Sequence, residues 1–197
     1  MRDLSLPKVT FGIIVFNGEP FTRYCLRALY PFAHEIIVVE GACLAANSVA
    51  TPDGHSSDGT LDTLYRFKSE EDSEDKVQIV VRQGFWSEKD EQSEAYAVRA
   101  TGDYLWQMDI DEFYRPEDML AVLEMVRVDA GITAVSFKQI TFWACDLRCS
   151  IISLPNVIQH PWVTNSVAGR SSDSLARSSP VGCFIFLYPV TLFSTLI

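Results

Sequence analysis

Positive charge is scarce in this chain. Lysine and arginine number 16 against 26 aspartates and glutamates over 197 residues, a formal net charge of −10 with a pI near 4.7. No basic face is on hand to hold a polyanionic backbone, which argues against a nucleic-acid partner. The familiar phosphate loops are missing as well. Neither G-x-G-x-x-G nor G-x-x-x-x-G-K-[ST] follows any strand-like run, so a cation must serve if the ligand carries phosphate. Cysteine is sparse and odd in number: Cys25, Cys43, Cys145, Cys149 and Cys183. The C-x3-C of Cys145 and Cys149 has no second pair and no nearby histidine, which speaks against zinc and for reduced thiols in a cytoplasmic setting. The first eight residues hold no apolar h-region or cleavage site, so no secretory signal is expected. Long apolar runs are rare, with one candidate at residues 181–197, broken by Pro189. At 17 residues it stands at the lower limit for a membrane span, and its β-branched and aromatic content also fits strands. A core or irregular segment is the first expectation there, and association with a membrane the second.

The length suits one core, and apolar runs alternate with amphipathic ones. Residues 9–16 and 35–40 read as buried strands, the second closed by Glu40. Pro20 opens a helix over 21–30 that places Tyr24, Cys25, Ala28 and Leu29 at helical spacing, and Pro31 stops it. A connection of 18 residues, 41–58, leads through Ser56-Ser57-Asp58-Gly59-Thr60 into a helix with Leu61, Leu64, Tyr65 and Phe67 as its stripe. Ser57 or Asp58 is the expected N-cap. The charged run 69–76 reads as a solvated loop without function. Strands at 77–82 and 103–108 bracket a helix at 88–100 capped by Ser87, with a thin apolar face of Ala95, Tyr96 and Val98. A further helix from Pro116 carries Met119, Leu120, Val122, Leu123 and Val126, and a fifth strand spans 133–142. This alternation predicts a three-layer α/β/α, Rossmann-like fold around a mostly parallel sheet. Residues 1–145 form its main domain, and 146–197 an irregular C-terminal extension.

The chemistry concentrates at Tyr104 to Tyr114, where an apolar run ends in Asp109, Asp111 and Glu112. Open α/β sheets place ligand crevices at the carboxyl ends of their strands. Residues two apart on a strand share a side, so Asp109 and Asp111 are candidates to hold one hard cation, Mg2+ or Mn2+. The spacing alone is weak: 14 aspartates among 197 residues give roughly one Asp-x-Asp by chance. Its weight comes from the strand before it and from Glu40 and Asp58 after neighbouring strands. Among the histidines, His55 draws notice only for its place beside Asp58. Trp86, Trp106 and Trp143 are candidates to stack on a base or sugar, with core packing the commoner fate.

Taken in order, the opening strand with Asn17, the Val38-Val39-Glu40 strand end, Ser56-Ser57-Asp58-Gly59-Thr60, Ala100-Thr101-Gly102-Asp103-Tyr104 and Asp109-Ile110-Asp111 resemble the family 2 glycosyltransferases of GT-A fold. The resemblance covers about residues 8–142, the nucleotide-sugar-binding half. It implies a nucleotide-diphosphate sugar such as a UDP-sugar as donor, and Mn2+ or Mg2+ as cofactor. Asn17, Glu40, Asp58, Lys89 and Asp109 are then the donor-binding residues, and Asp109 and Asp111 bracket the metal. The implied activity is transfer of a hexosyl or related group to a hydroxyl, with inversion. The alternative is a remnant that holds nucleotide and metal without turnover. Two departures stand out. Gln92-Ser93-Glu94 replaces the family's Ala-Arg-Asn, leaving Lys89 as the nearby cation. No catalytic base is identified, since the only acids after Phe142 are Asp146 and Asp173. The sequence sets no oligomeric state.

Overall fold

The computed structural model describes residues 6–129, 131–132, 134–138, 156–157 and 182–189. Four parallel strands form the centre: β1 (Val9–Val15), β2 (Glu35–Glu40), β3 (Val77–Val80) and β4 (Tyr104–Asp109). Between them run α1 (Thr22–Leu29), α2 (Thr60–Glu70) and α3 (Lys89–Ala97), and α4 (Pro116–Val128) follows β4. The sheet continues with β5 (Ala134–Lys138), β6 (Asn156–Val157) and β7 (Gly182–Pro189), in the order β3-β2-β1-β4-β7-β5-β6.

Strand alternation sorts the core into two faces. Val9, Phe11, Ile13, Val15, Ile36, Val38, Trp106 and Met108 pack with buried residues of α1, α2 and α4. Ile37, Val39 and Leu105 face the other way, against Tyr96 and Ala97 of α3 and the nearby Trp86. The fold is therefore the expected three-layer α/β/α arrangement. α3 has little apolar surface and relies on one large contact. A Cβ on Gly12 would stand 2.5 Å from the Tyr96 ring, so only glycine lets that ring lie on the sheet.

Some expected positions differ. Tyr24, Tyr65, Val98 and Leu120 are exposed, and the inward places go to Leu26, Thr60, Gln92 and Ala97. The helical faces otherwise stand as expected, with Cys25, Leu29, Leu64, Phe67, Tyr96, Met119, Val122, Leu123 and Val126 buried. The fifth strand is described over Ala134–Lys138, with 133 and 139–142 of the expected run outside the described residues, and it does not adjoin β4. β7, from the apolar run 181–197, lies between them, antiparallel to both. A β-prone run in that position satisfies its backbone by completing the sheet. Among the described residues no helix is long and apolar enough to cross a membrane.

The charged run 69–76 is a fastening. Glu71 takes hydrogen bonds from Arg23 and Arg27 of α1, and Asp72 takes them from Lys68, Tyr30 and the amides of Lys76 and Val77. The Asp72 side chain is 0% exposed. Burial pushes its carboxyl up, but these donors outweigh burial and hold it below the ordinary aspartate range.

Candidate functional site

β1 has β2 on one side and β4 on the other, so the chain reverses its direction of travel across the sheet at the β1–β4 boundary. Such a switch point leaves a crevice beyond the carboxyl ends of the two strands. A cavity of about 630 Å³ occupies it. Its walls come from all four central connections: Asn17, Gly18, Glu19 and Phe21 after β1, Gly41 and Cys43 after β2, Lys89 and Gln92 at and within α3, and Asp109 to Asp111 after β4.

The register explains the meeting. Ile14 pairs with Asp109 and Val15 with Glu40, so three strands end at one level. Asp109 is the last residue of β4, and Ile110 and Asp111 lie in a turn closed by the Glu112 amide on the Asp109 carbonyl. Strand alternation therefore does not bring Asp109 and Asp111 together; the turn sets both on the cavity wall while Ile110 is buried. Both aspartates are exposed, and no described group hydrogen-bonds or ion-pairs with either carboxylate. Among the described residues no cluster of three or more His, Cys, Asp or Glu is placed to hold a metal. The protein thus offers two hard oxygen donors, a set that suits a cation completing its shell with water and ligand oxygens.

The β1–α1 loop is stitched to the 56–60 turn. The amides of Asn17, Gly18 and Glu19 donate to Ser56 Oγ, Thr60 Oγ1 and Asp58 Oδ2 at 2.9, 2.7 and 2.9 Å, and the Ser57 amide returns one to Asn17 Oδ1 at 2.9 Å. Asn17 adopts φ 52, a left-handed conformation that asparagine tolerates. Gly18 packs so closely that an added Cβ would stand 2.6 Å from Val15 Cγ2 and 3.1 Å from Ile110 Cγ2. Loop and aspartate turn are thereby held in contact.

The six sequence candidates separate in space. Asn17, Lys89, Asp109 and Asp111 line the cavity; Glu40 and Asp58 are not among its lining residues. Glu40 is fully buried, with one oxygen on the Ser56 amide and the other on His55 Nδ1, each at 2.7 Å. Asp58 accepts from the Thr60 amide and hydroxyl as well as from Glu19. Partial burial raises its carboxyl, but the Thr60 hydroxyl and the two amides outweigh this and lower it. Glu88 is the extended residue before α3 and Lys89 its first residue, while Ser87 binds Glu91 through both its amide and its hydroxyl. Among the described residues Lys89 has no ion-pair partner, and Glu91 pairs with Arg82. Trp86 and Trp106 are core residues, and Trp86 donates to the Glu40 carbonyl at 3.1 Å. Trp143, His160, Asp146 and Asp173 lie outside the described residues.

Gln92 was missed by sequence reasoning. It is 1% exposed, donates to the Gly41 carbonyl at 2.9 Å and accepts from the Cys43 thiol at 3.1 Å, fixing the loop after β2. Its signal was a polar residue on the inward face of a helix with few apolar ones. Glu19 was missed too: its Oε1 is buried with no hydrogen-bond partner among the described residues.

No family model and no curated protein matches the chain. Solved structures do. A mannosyltransferase from Pyrobaculum calidifontis, in complex with GDP-Man and Mn2+, shares 20% identity at a TM-score of 0.51, over 67% of this chain and 35% of its own. S. aureus TarS 1-349 in complex with UDP matches at 14% identity and a TM-score of 0.48, over 65% of this chain and 34% of its own. Glucosyl-3-phosphoglycerate synthase from Mycobacterium tuberculosis, with Mn2+ and UDP-Glc, matches at 14% and 0.46, over 65% and 42%. The likeness is one of fold, and the chain has the GT-A fold. It spans about a third of the length of the mannosyltransferase, 35%.

Proposed function

We propose that this chain binds a nucleotide-diphosphate sugar together with Mn2+ or Mg2+ and transfers the sugar to a hydroxyl acceptor. The observation that carries the reading is the meeting of Asp109 and Asp111, whose carboxylates have no partner among the described residues, with Asn17 and Lys89 in one cavity at the switch point of a GT-A sheet. Asp109 and Asp111 are the metal-holding residues, a donor set suited to a hard cation. When bound, such a cation neutralises the diphosphate as the sugar–oxygen bond breaks.

The chain's own residues do the rest. Lys89 stands at the start of α3 without an ion-pair partner among the described residues, free to meet phosphate oxygens. Asn17 and Asp109 present polar groups from the ends of adjacent strands. Glu40 and Asp58 act at the nucleotide end through the 56–60 turn they hold. Donor binding belongs to residues 1–145 and the acceptor side to 146–197, with β7 of the latter built into the same sheet. Transfer with inversion and a cytoplasmic site of action complete the proposal.

Calorimetry tests it. Mn2+-dependent binding of UDP or GDP is expected, and Asp111→Ala should weaken it by at least about tenfold, since even outer partners of a metal site are worth that much. No binding by the unaltered chain, or an unchanged affinity in Asp111→Ala, would overturn the assignment. Release of free nucleotide diphosphate from a donor in the presence of acceptors measures transfer; binding without release marks a catalytically incomplete remnant.

A further inference from the structure

The rim of the cavity beside Asp111 carries groups to which the proposed function assigns no role. Glu19 lines the cavity, and its Oε1 is shut away from solvent without a hydrogen-bond partner among the described residues. A buried carboxylate oxygen left unsatisfied is costly and calls for a donor beyond the described residues, a role that a ligand hydroxyl in the cavity can fill. Its backbone is not free to turn away, because the Glu19 amide is fixed on Asp58 and the neighbouring Gly18 amide on Thr60. Two residues on, Phe21 lines the same cavity and is 43% exposed. Phe113, two residues beyond Asp111, is 51% exposed and meets Phe21 edge to face with centroids 6.3 Å apart. Two large rings left in water beside a cavity, when the core could have taken them, point to a ligand surface.

The geometry points to a pyranose-binding subsite made by the Glu19 carboxylate and the Phe21–Phe113 pair. A sugar ring has two chemically different aspects. Its hydroxyls donate to a carboxylate, and its axial C–H face lies against an aromatic ring. An uncharged ring is also what a rim carrying Glu19 and Glu112 admits, since these carboxylates repel an anionic group. A purely apolar occupant would leave Glu19 unsatisfied, and a cation alone would leave the phenylalanines in water. The inference rests on the proposed function only for which ring arrives, that of the donor or that of a saccharide acceptor.

The test uses the full chain with Glu19→Gln and Phe113→Ala, the latter at a half-exposed position where folding is not at stake. UDP, GDP, UDP-glucose and GDP-mannose are titrated with Mn2+, and saturation-transfer NMR is run on a panel of free mono- and disaccharides. If the ring is the donor's, both variants bind the nucleotide sugars about five- to tenfold more weakly, as loss of one aromatic contact gives, while UDP and GDP are unaffected. If it is the acceptor's, nucleotide-sugar binding holds and the saccharide signals fall in both variants. Unaltered donor affinity together with unaltered or absent saccharide signals overturns the subsite. Should the unaltered chain bind no nucleotide, the proposed function fails, and the saccharide signals still decide this inference.

Discussion

Two thiols record the cavity at the scale of single residues. Cys25 is fully buried on α1, and burial, reinforced by the Glu112 and Asp111 carboxylates, pushes it up to about 12. Cys43 is half-buried on the cavity wall; burial raises it, and the Lys89 charge opposes that rise. At neutral pH iodoacetamide should therefore modify Cys43 and leave Cys25 untouched in the folded chain, as peptide mass spectrometry would read. Nucleotide diphosphate with Mn2+ should slow the Cys43 reaction at least several-fold if the cavity is the binding site. Equal labelling of both cysteines would contradict the burial of Cys25, and unprotected labelling of Cys43 would contradict the site. Residue identity at the ends of strands was legible beforehand, because Asp109, Asp111 and Glu40 each follow a run too apolar to be anything but a strand. Gln92 and Glu19 were not. A buried amide inside an acidic helix and one carboxylate among twelve glutamates carry no pattern until the fold supplies their neighbours.

Individual elements were easy to foresee where apolar spacing was regular, and β2 has the expected limits, Glu35–Glu40. The charged run 69–76 shows the opposite. Read as composition it is a solvated loop; in place, Asp72 ties the end of α2 to the start of β3 and to Tyr30 after α1. Three-dimensional partners, absent from any local window, decide that outcome. The consequence for pH follows from the lowered Asp72 carboxyl. A group depressed below its unfolded value of 3.8 adds stability that is present above that value and lost as pH falls through the lower folded one. Asp72→Asn should be less stable than the unaltered chain by about 1–3 kcal/mol in urea unfolding near pH 7, as loss of a charged hydrogen-bond hub suggests. The gap should narrow as pH falls from 3.8 through the lower folded value, where the unaltered chain also protonates. A gap that is constant with pH would show that the charge is not what matters.

Across the whole molecule, the parallel four-strand centre was legible and the second half of the sheet was not. Strand neighbours follow sequence neighbours through β1 and β2, but β7 enters between β4 and β5 from far along the chain, and nothing local announces a pairing at that separation. The candidate site sits in the legible part. Its stitched loops have a further consequence, which concerns which parts of the molecule open together. Loop amides ordinarily exchange their hydrogens with solvent as fast as the loop frays. Here the amides of Asn17, Gly18, Glu19 and Ser57 each end on a side chain of the opposite segment, and that of Ser56 on buried Glu40. These five should exchange slowly and at similar rates without any ligand. Thr60→Val, which removes the acceptor for Gly18, should speed exchange on both segments at once, and acceleration at Gly18 alone would mean that the two move independently. Slow exchange there would place the floor of the candidate cavity among the last parts of the molecule to open, so a ligand would meet a surface already in its final shape.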